Sequence, residues 1–125
     1  MMRIASTLTV AVSVVALAFT SSAGAGAASN KLVGAVGKNG SFKITLVNSR
    51  GRVVRSLPAG TYTIAAHDYS RIHNFVLERE HGPEREVTDV GDVGAKTIRV
   101  KLTRGLWKVY CEPHESTMVQ HFSVR

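Results

Sequence analysis

The sequence predicts an all-β fold, a Greek-key β-sandwich or barrel of about seven or eight short antiparallel strands. Three observations predict it. Short segments alternate apolar and polar side chains, as half-buried strands do. Clusters of glycine, asparagine and proline separate these segments. No segment sustains the period of an amphipathic helix.

The N-terminal segment has the order of a secretory signal peptide. A positive start at Met1 to Arg3 precedes an apolar run of 16 residues, 4–19, and small residues follow at 23–28. This order is typical of a cleaved export signal. The run is also shorter than the roughly 20 residues that a membrane-spanning helix needs. The alternative is a retained membrane anchor.

This pattern predicts the domain organisation. We expect a secretory signal peptide over residues 1–27 and one domain over residues 28–125. The protein is then exported to the periplasm, the cell envelope or the extracellular space. After cleavage no transmembrane segment remains, and we expect a monomer.

The first half of the domain predicts a hairpin. Residues 31–36 form the first strand, and Asn39-Gly40 is the strongest hairpin signal in the chain. Residues 41–47 then alternate as a second strand. Phe42, Ile44 and Leu46 or Val47 are expected to share one face of this strand. Val53-Val54 is expected to pair briefly.

The second half predicts five further strands. They are expected at residues 61–66, 73–78, 93–102, 106–111 and 119–124. The core aromatic side chains are expected to be Tyr62, Phe75 and Trp107. Residues 81–85 allow one short helical turn, which we do not favour.

The charge balance restricts the choice of partners. The chain has 16 basic and 9 acidic residues and a net charge of +7. Removal of residues 1–27 removes only Arg3, so the domain keeps 15 basic residues and a net charge of +6. A basic surface favours an acidic partner or an anionic cell surface, and solubility alone explains it equally well. Nucleic acid is a poor candidate because the basic residues are spread along the chain of an exported protein.

The chain has a single cysteine, Cys111, with other soft ligands close by. His114 and Met118 follow within the same eight residues, and Pro113 stiffens the loop between them. Thiolate, imidazole and thioether groups suit copper. A lone cysteine in an exported protein needs a reason, and metal ligation supplies one. The alternatives are an inert buried thiol for the cysteine and core filling for the methionine.

A trigonal copper site needs a second histidine. His73 is the best candidate, since it begins a predicted strand and is followed by Asn74 and Phe75. His67 is an alternative first ligand. His81 and His121 are expected to be surface residues.

These residues resemble the cupredoxins, the group of plastocyanin, amicyanin and pseudoazurin. The similar motifs are S-x-x-H-N-F at 70–75 and C-x-P-H-x-x-x-M at 111–118, with a similar strand opening at 57–62. The resemblance implies a blue copper site. In it His73, Cys111 and His114 bind one copper ion in a plane and Met118 lies on the axis.

The resemblance also implies supporting roles and one departure. Asn74 would tie its strand to the ligand loop, and His114 would be the ligand nearest solvent. Gln120 stands where such proteins commonly have glycine. Its amide oxygen is an alternative axial ligand to Met118.

The expected function is one-electron transfer by a secreted type 1 copper protein cycling between Cu(I) and Cu(II). A redox partner protein, for which an acidic docking face is expected, would exchange the electron. The alternative is a copper storage or delivery module in the cell envelope. We expect no enzyme activity, because one ligand set in one domain leaves no place to activate a substrate.

Overall fold

The computed structural model describes residues 30–125. The expected signal peptide at 1–27 lies outside the described residues. Within the described part, no helix is long and apolar enough to cross a membrane.

Within residues 30–125, nine strands form two packed sheets. The first sheet has the order β2-β1-β4-β7 and the second has the order β3-β9-β8-β5-β6. The strands are β1 (Lys31–Val36), β2 (Ile44–Asn48), β3 (Ser56–Leu57), β4 (Gly60–Asp68), β5 (Phe75–Arg79), β6 (Glu84–Thr88), β7 (Gly94–Leu102), β8 (Gly105–Tyr110) and β9 (Val119–Val124). The predicted all-β sandwich is therefore confirmed.

The pairing is mixed rather than purely antiparallel. β1 pairs antiparallel with β2, as the hairpin signal predicts, but parallel with β4. β3 pairs parallel with β9. The brief pairing expected near Val53 is a bridge to Val47.

The core lies between the two sheets and is built from alternate residues of the facing strands. Its fully buried side chains include Leu32 and Ile64 from one sheet and Leu77 and Val109 from the other. The three expected core aromatics, Tyr62, Phe75 and Trp107, are all buried.

Residues 84–88 form a strand that the sequence did not predict. The helical turn considered for residues 81–85 is absent, because the chain after Gly82 pairs antiparallel with β5 as strand β6. Edge pairing fixes this segment despite its charged sequence, and Val87 and Thr88 at its end are buried.

The expected second strand starts later than its alternation indicates. Phe42 was expected to share a strand face with Ile44, but it precedes β2 and is 53% exposed, whereas Ile44 is buried. The cause is the connection before it, a short 3-10 turn over Lys38–Gly40. Gly37 and Asn39 there have left-handed backbone conformations, and Gly37 N–H donates to the carbonyl of Lys43.

Candidate metal centre

Three ligand atoms converge at one end of the sandwich. Nδ1 of His73 lies 3.1 Å from Nδ1 of His114, and Sγ of Cys111 lies 3.6 Å from each of these nitrogens. His73 precedes β5, Cys111 follows β8, and His114 ends a short 3-10 turn over Glu112–His114. The structure therefore brings together three of the four predicted site residues from two adjacent strands.

The distances fit a single metal ion. A triangle with these sides has its centre about 2.0 Å from each corner, near the metal–nitrogen and metal–sulfur bond lengths of about 2.0 Å and about 2.3 Å. Two imidazole nitrogens and one thiolate form the trigonal donor set that suits copper. The cluster thus fits a copper ion in both size and chemistry.

His73 is held in a closed environment. Its side chain is buried, and its backbone N–H donates to the carbonyl of Ser70. Burial lowers the pKa of His73, and the adjacent His114 lowers it further. Both effects favour the neutral ring, which is the form that binds a metal.

Gly37 makes room for the His73 ring. A Cβ atom at this position would lie 2.7 Å from Cδ2 of His73, and the backbone φ is +72°. Both the close approach and the left-handed conformation favour glycine. The turn after β1 therefore helps to position a ligand that is distant in sequence.

Cys111 is buried and is a free thiol in the described chain. Burial raises the pKa of the Cys111 thiol, whereas hydrogen bonds from the backbone N–H groups of Asn74 and His114 lower it. Both backbone N–H groups favour the thiolate form. Metal binding would displace the thiol proton.

The ligand loop is closed by its own backbone. Cys111 N–H donates to the carbonyl of Met118 at 3.0 Å, and Met118 N–H donates to that of His114 at 2.8 Å. His114 N–H in turn donates to the carbonyl of Cys111 at 3.1 Å. Met118, the predicted axial residue, is fully buried at the end of this loop. These bonds help to fix the conformation of the loop.

Asn74 joins the two ligand-bearing segments. Its side-chain oxygen accepts a hydrogen bond from Glu112 N–H at 2.8 Å. Its amide nitrogen donates to the carboxylates of Glu86 at 3.2 Å and Glu112 at 3.4 Å. This is the tie between strand and loop that the resemblance implies.

Gln120 is engaged away from the ligand atoms. Its side-chain oxygen accepts from Leu46 N–H at 2.9 Å, and its nitrogen donates to the carbonyls of Leu46 and Val54 at 3.1 and 3.0 Å. Its amide oxygen, the alternative axial donor, therefore already has a backbone partner. Gln120 links β9 of one sheet to β2 of the other.

The remaining histidines lie outside the cluster. His67 is on β4 and stacks on Tyr69 with ring centroids 6.3 Å apart. His81 and His121 are exposed, as expected. In the part of the chain that the structure describes, only His73, Cys111 and His114 form a metal-binding group of this kind.

Phe42 is a site residue that alternation placed wrongly. Its ring meets the rings of His73 and His114 edge to face, with both centroid distances 5.0 Å. It shields the two imidazoles from the solvent side while remaining half exposed. No signal in the sequence marks it, since the contact depends on the turn after β1.

A two-sheet sandwich with this strand order and a Cys-His₂ cluster at one end has a cupredoxin-like fold. Similar solved structures are those of rusticyanin, a cupredoxin. The rusticyanin of Thiobacillus ferrooxidans is 17% identical, with a TM-score of 0.57 over 76% of both chains. A structure described as the copper protein rusticyanin is 16% identical, with a TM-score of 0.58 over 76% of both chains. The fold implied by the sequence motifs is thus confirmed.

Comparison at the sequence level adds no relative. No protein-family model matches this chain, and no curated protein is significantly similar to it.

Proposed function

We propose that this protein is an exported blue copper protein that transfers single electrons. The observation that carries the proposal is the convergence of His73, Cys111 and His114 at distances that fit one ion. Met118 is proposed as the axial ligand because the loop closes with it buried beside Cys111. A bound copper ion would supply the Cu(I)/Cu(II) couple.

The ligand residues would provide a site that suits both oxidation states. The hydrogen bonds within residues 111–118 and from Asn74 restrain the loop through contacts that need no metal. Such preorganisation keeps the ligands from moving when charge changes, which is the protein's contribution to electron transfer. Burial of His73 and Cys111 keeps water away from the donors.

His114 is the proposed route for electrons. It is the only one of the three clustered ligands in the described chain that is not fully buried. Its ring lies against Phe42, which is 53% exposed. An aromatic and an imidazole at the surface form a short path between a partner and the site. The partner with an acidic docking face, the monomeric state and the export signal at 1–27 remain predictions.

Burial also favours electron transfer over copper delivery. A carrier must hand its metal to an acceptor, so its ligands must be reachable. Here the sulfur of Cys111 and the ring of His73 are buried, and the loop that covers them is closed by backbone hydrogen bonds. Release would require that loop to open.

The test is the visible absorption spectrum of the mature protein with one equivalent of Cu(II). We expect an intense thiolate-to-copper band that disappears in Cys111→Ala and persists in His67→Ala, the matched control outside the cluster. Voltammetry should then show a reversible one-electron wave. A spectrum without this band, or rapid transfer of copper to a competing chelator, would contradict the proposal.

A further inference from the structure

Asp68 is a buried acid that the proposed metal site does not use as a ligand. It ends β4 and is 2% exposed. Burial of a charged side chain is costly unless hydrogen bonds or an opposite charge compensate it. No salt bridge among residues 30–125 involves it, so hydrogen bonds must compensate its burial.

The hydrogen bonds around Asp68 suit an ionised carboxylate. Oδ1 accepts from Ser70 N–H at 3.1 Å, and Oδ2 accepts from the Thr88 hydroxyl at 2.8 Å. The Thr88 oxygen in turn accepts from Phe75 N–H at 2.9 Å. A threonine hydroxyl has one proton, so the bond to Phe75 fixes its direction toward Asp68. Both carboxylate oxygens are therefore acceptors.

This network surrounds the segment that carries His73. It joins the end of β4, the loop at Ser70, the start of β5 and the end of β6. Cys111 follows β8, which pairs with β5. The carboxylate is thus built into the elements that position two of the ligands.

The charge of Asp68 lies close to the His73 ligand. Oδ1 accepts from Ser70 N–H, and the Ser70 carbonyl accepts from His73 N–H at 3.3 Å. Oδ2 accepts from the Thr88 hydroxyl, whose oxygen accepts from Phe75 N–H, two residues after His73. A buried negative charge this near to a ligand favours the more positive state of the ion that the ligand holds.

We propose that the buried carboxylate of Asp68 sets the preference of the metal centre for the divalent over the monovalent ion, and so lowers its reduction potential. This inference rests on the proposed copper site. Reduction adds one electron, supplied by an electrode or a redox partner, and lowers the charge of the centre by one. A fixed negative charge in a poorly screened interior opposes that change.

The test compares Asp68→Asn with the wild type. Asparagine removes the charge at nearly constant shape. The ratio of Cu(II) to Cu(I) affinity should therefore fall by about ten-fold, which equals a rise of about 59 mV in the reduction potential for one electron. The ratio is measured by competition with chelators and the potential by voltammetry. Asp92→Asn, which removes an exposed acid lining the same surface cavity as Asp68, should change the ratio by less than about two-fold.

Thr88→Val separates the charge from the hydrogen-bond network. It removes the hydroxyl that shields Asp68 but keeps the carboxylate, so the affinity ratio should rise, by about two-fold. If Asp68 only held the structure together, Asp68→Asn and Thr88→Val would shift the ratio of Cu(II) to Cu(I) affinity in the same direction. If Asp68→Asn does not fold, Thr88→Val decides alone: a rise in the ratio supports the proposal, and no change or a fall overturns it.

The same measurements also distinguish failure of the proposed copper site from failure of the proposed role of Asp68. If the wild type binds neither copper ion at the cluster, both the copper site and the role of Asp68 are wrong. If the wild type binds both ions and Asp68→Asn leaves their ratio unchanged, only the role of Asp68 is wrong.

Discussion

Replacement of Gln120 by alanine should destabilise the fold without changing the metal centre. The side chain makes three hydrogen bonds to the backbone of Leu46 and Val54, and so connects the two sheets. Alanine removes all three and leaves Leu46 N–H without this partner. A single hydrogen bond contributes about 0.5–1.5 kcal/mol net, and a buried donor left unpaired costs about 1–3 kcal/mol.

With about 1–3 kcal/mol for the unpaired Leu46 N–H and about 0.5–1.5 kcal/mol for each of the other two bonds, we expect a loss of about 2–6 kcal/mol in the free energy of unfolding. For a domain of this size each kcal/mol lowers Tm by about 4–8 °C. Urea unfolding of the metal-free protein measures the loss directly. Ser123→Ala, on the same strand with only a long 3.5 Å bond to Arg55, should stay within about 0.5 kcal/mol of the wild type.

The visible spectrum of the copper form decides between two roles for Gln120. If Gln120 only joins the sheets, the spectrum of Gln120→Ala matches the wild type once the protein is folded. An altered band would show that its amide contributes to the axial position after all. A loss of less than about 1 kcal/mol would refute the reasoning about the three bonds.

Three further perturbations test the packing and electrostatics. Gly37→Ala should weaken copper affinity by at least about ten-fold because its Cβ would meet His73. The control Gly51→Ala has a similar φ but open space around it, so it carries only a backbone cost of about 1–2 kcal/mol. Equal copper affinities of the two variants in chelator competition would contradict this prediction. Leu77→Ala should cost about 2–5 kcal/mol in urea unfolding because Leu77 is fully buried, and a cost below about 1 kcal/mol would contradict its core role. The lowered pKa of His73 means that the unfolded metal-free chain takes up a proton at higher pH than the folded one, so stability falls as pH drops below about 6.5. Urea unfolding at several pH values should show a steeper fall for the wild type than for His73→Gln, and parallel curves would contradict it.

The strands were predictable where a single face is buried. β1 and β9 have the bounds that alternation predicts, and β7 differs by one residue. The edge strand β6 was missed because it has charged residues on both faces before Val87. Pairing with β5, rather than a hydrophobic pattern, determines that segment.

The ligands were predictable to different degrees. Cys111 and His114 lie three residues apart, so their proximity is local, and His73 followed from the motif around it. Phe42 and Asp68 could not be predicted, because each meets the site through contacts that only the folded sheets create. Local spacing and the motif around His73 therefore identified the residues of the cluster but not the groups that surround them.

Basic side chains lie along an exposed edge of the first sheet, where they can oppose self-association without any binding partner. β7 is a nine-residue strand at the end of its sheet, and such an edge is a template for pairing with another chain. Lys96, Arg99 and Lys101 are exposed along it. Two copies brought edge to edge would bring these cations together, so their repulsion opposes aggregation. Part of the positive charge thus protects the solubility of the sheet itself.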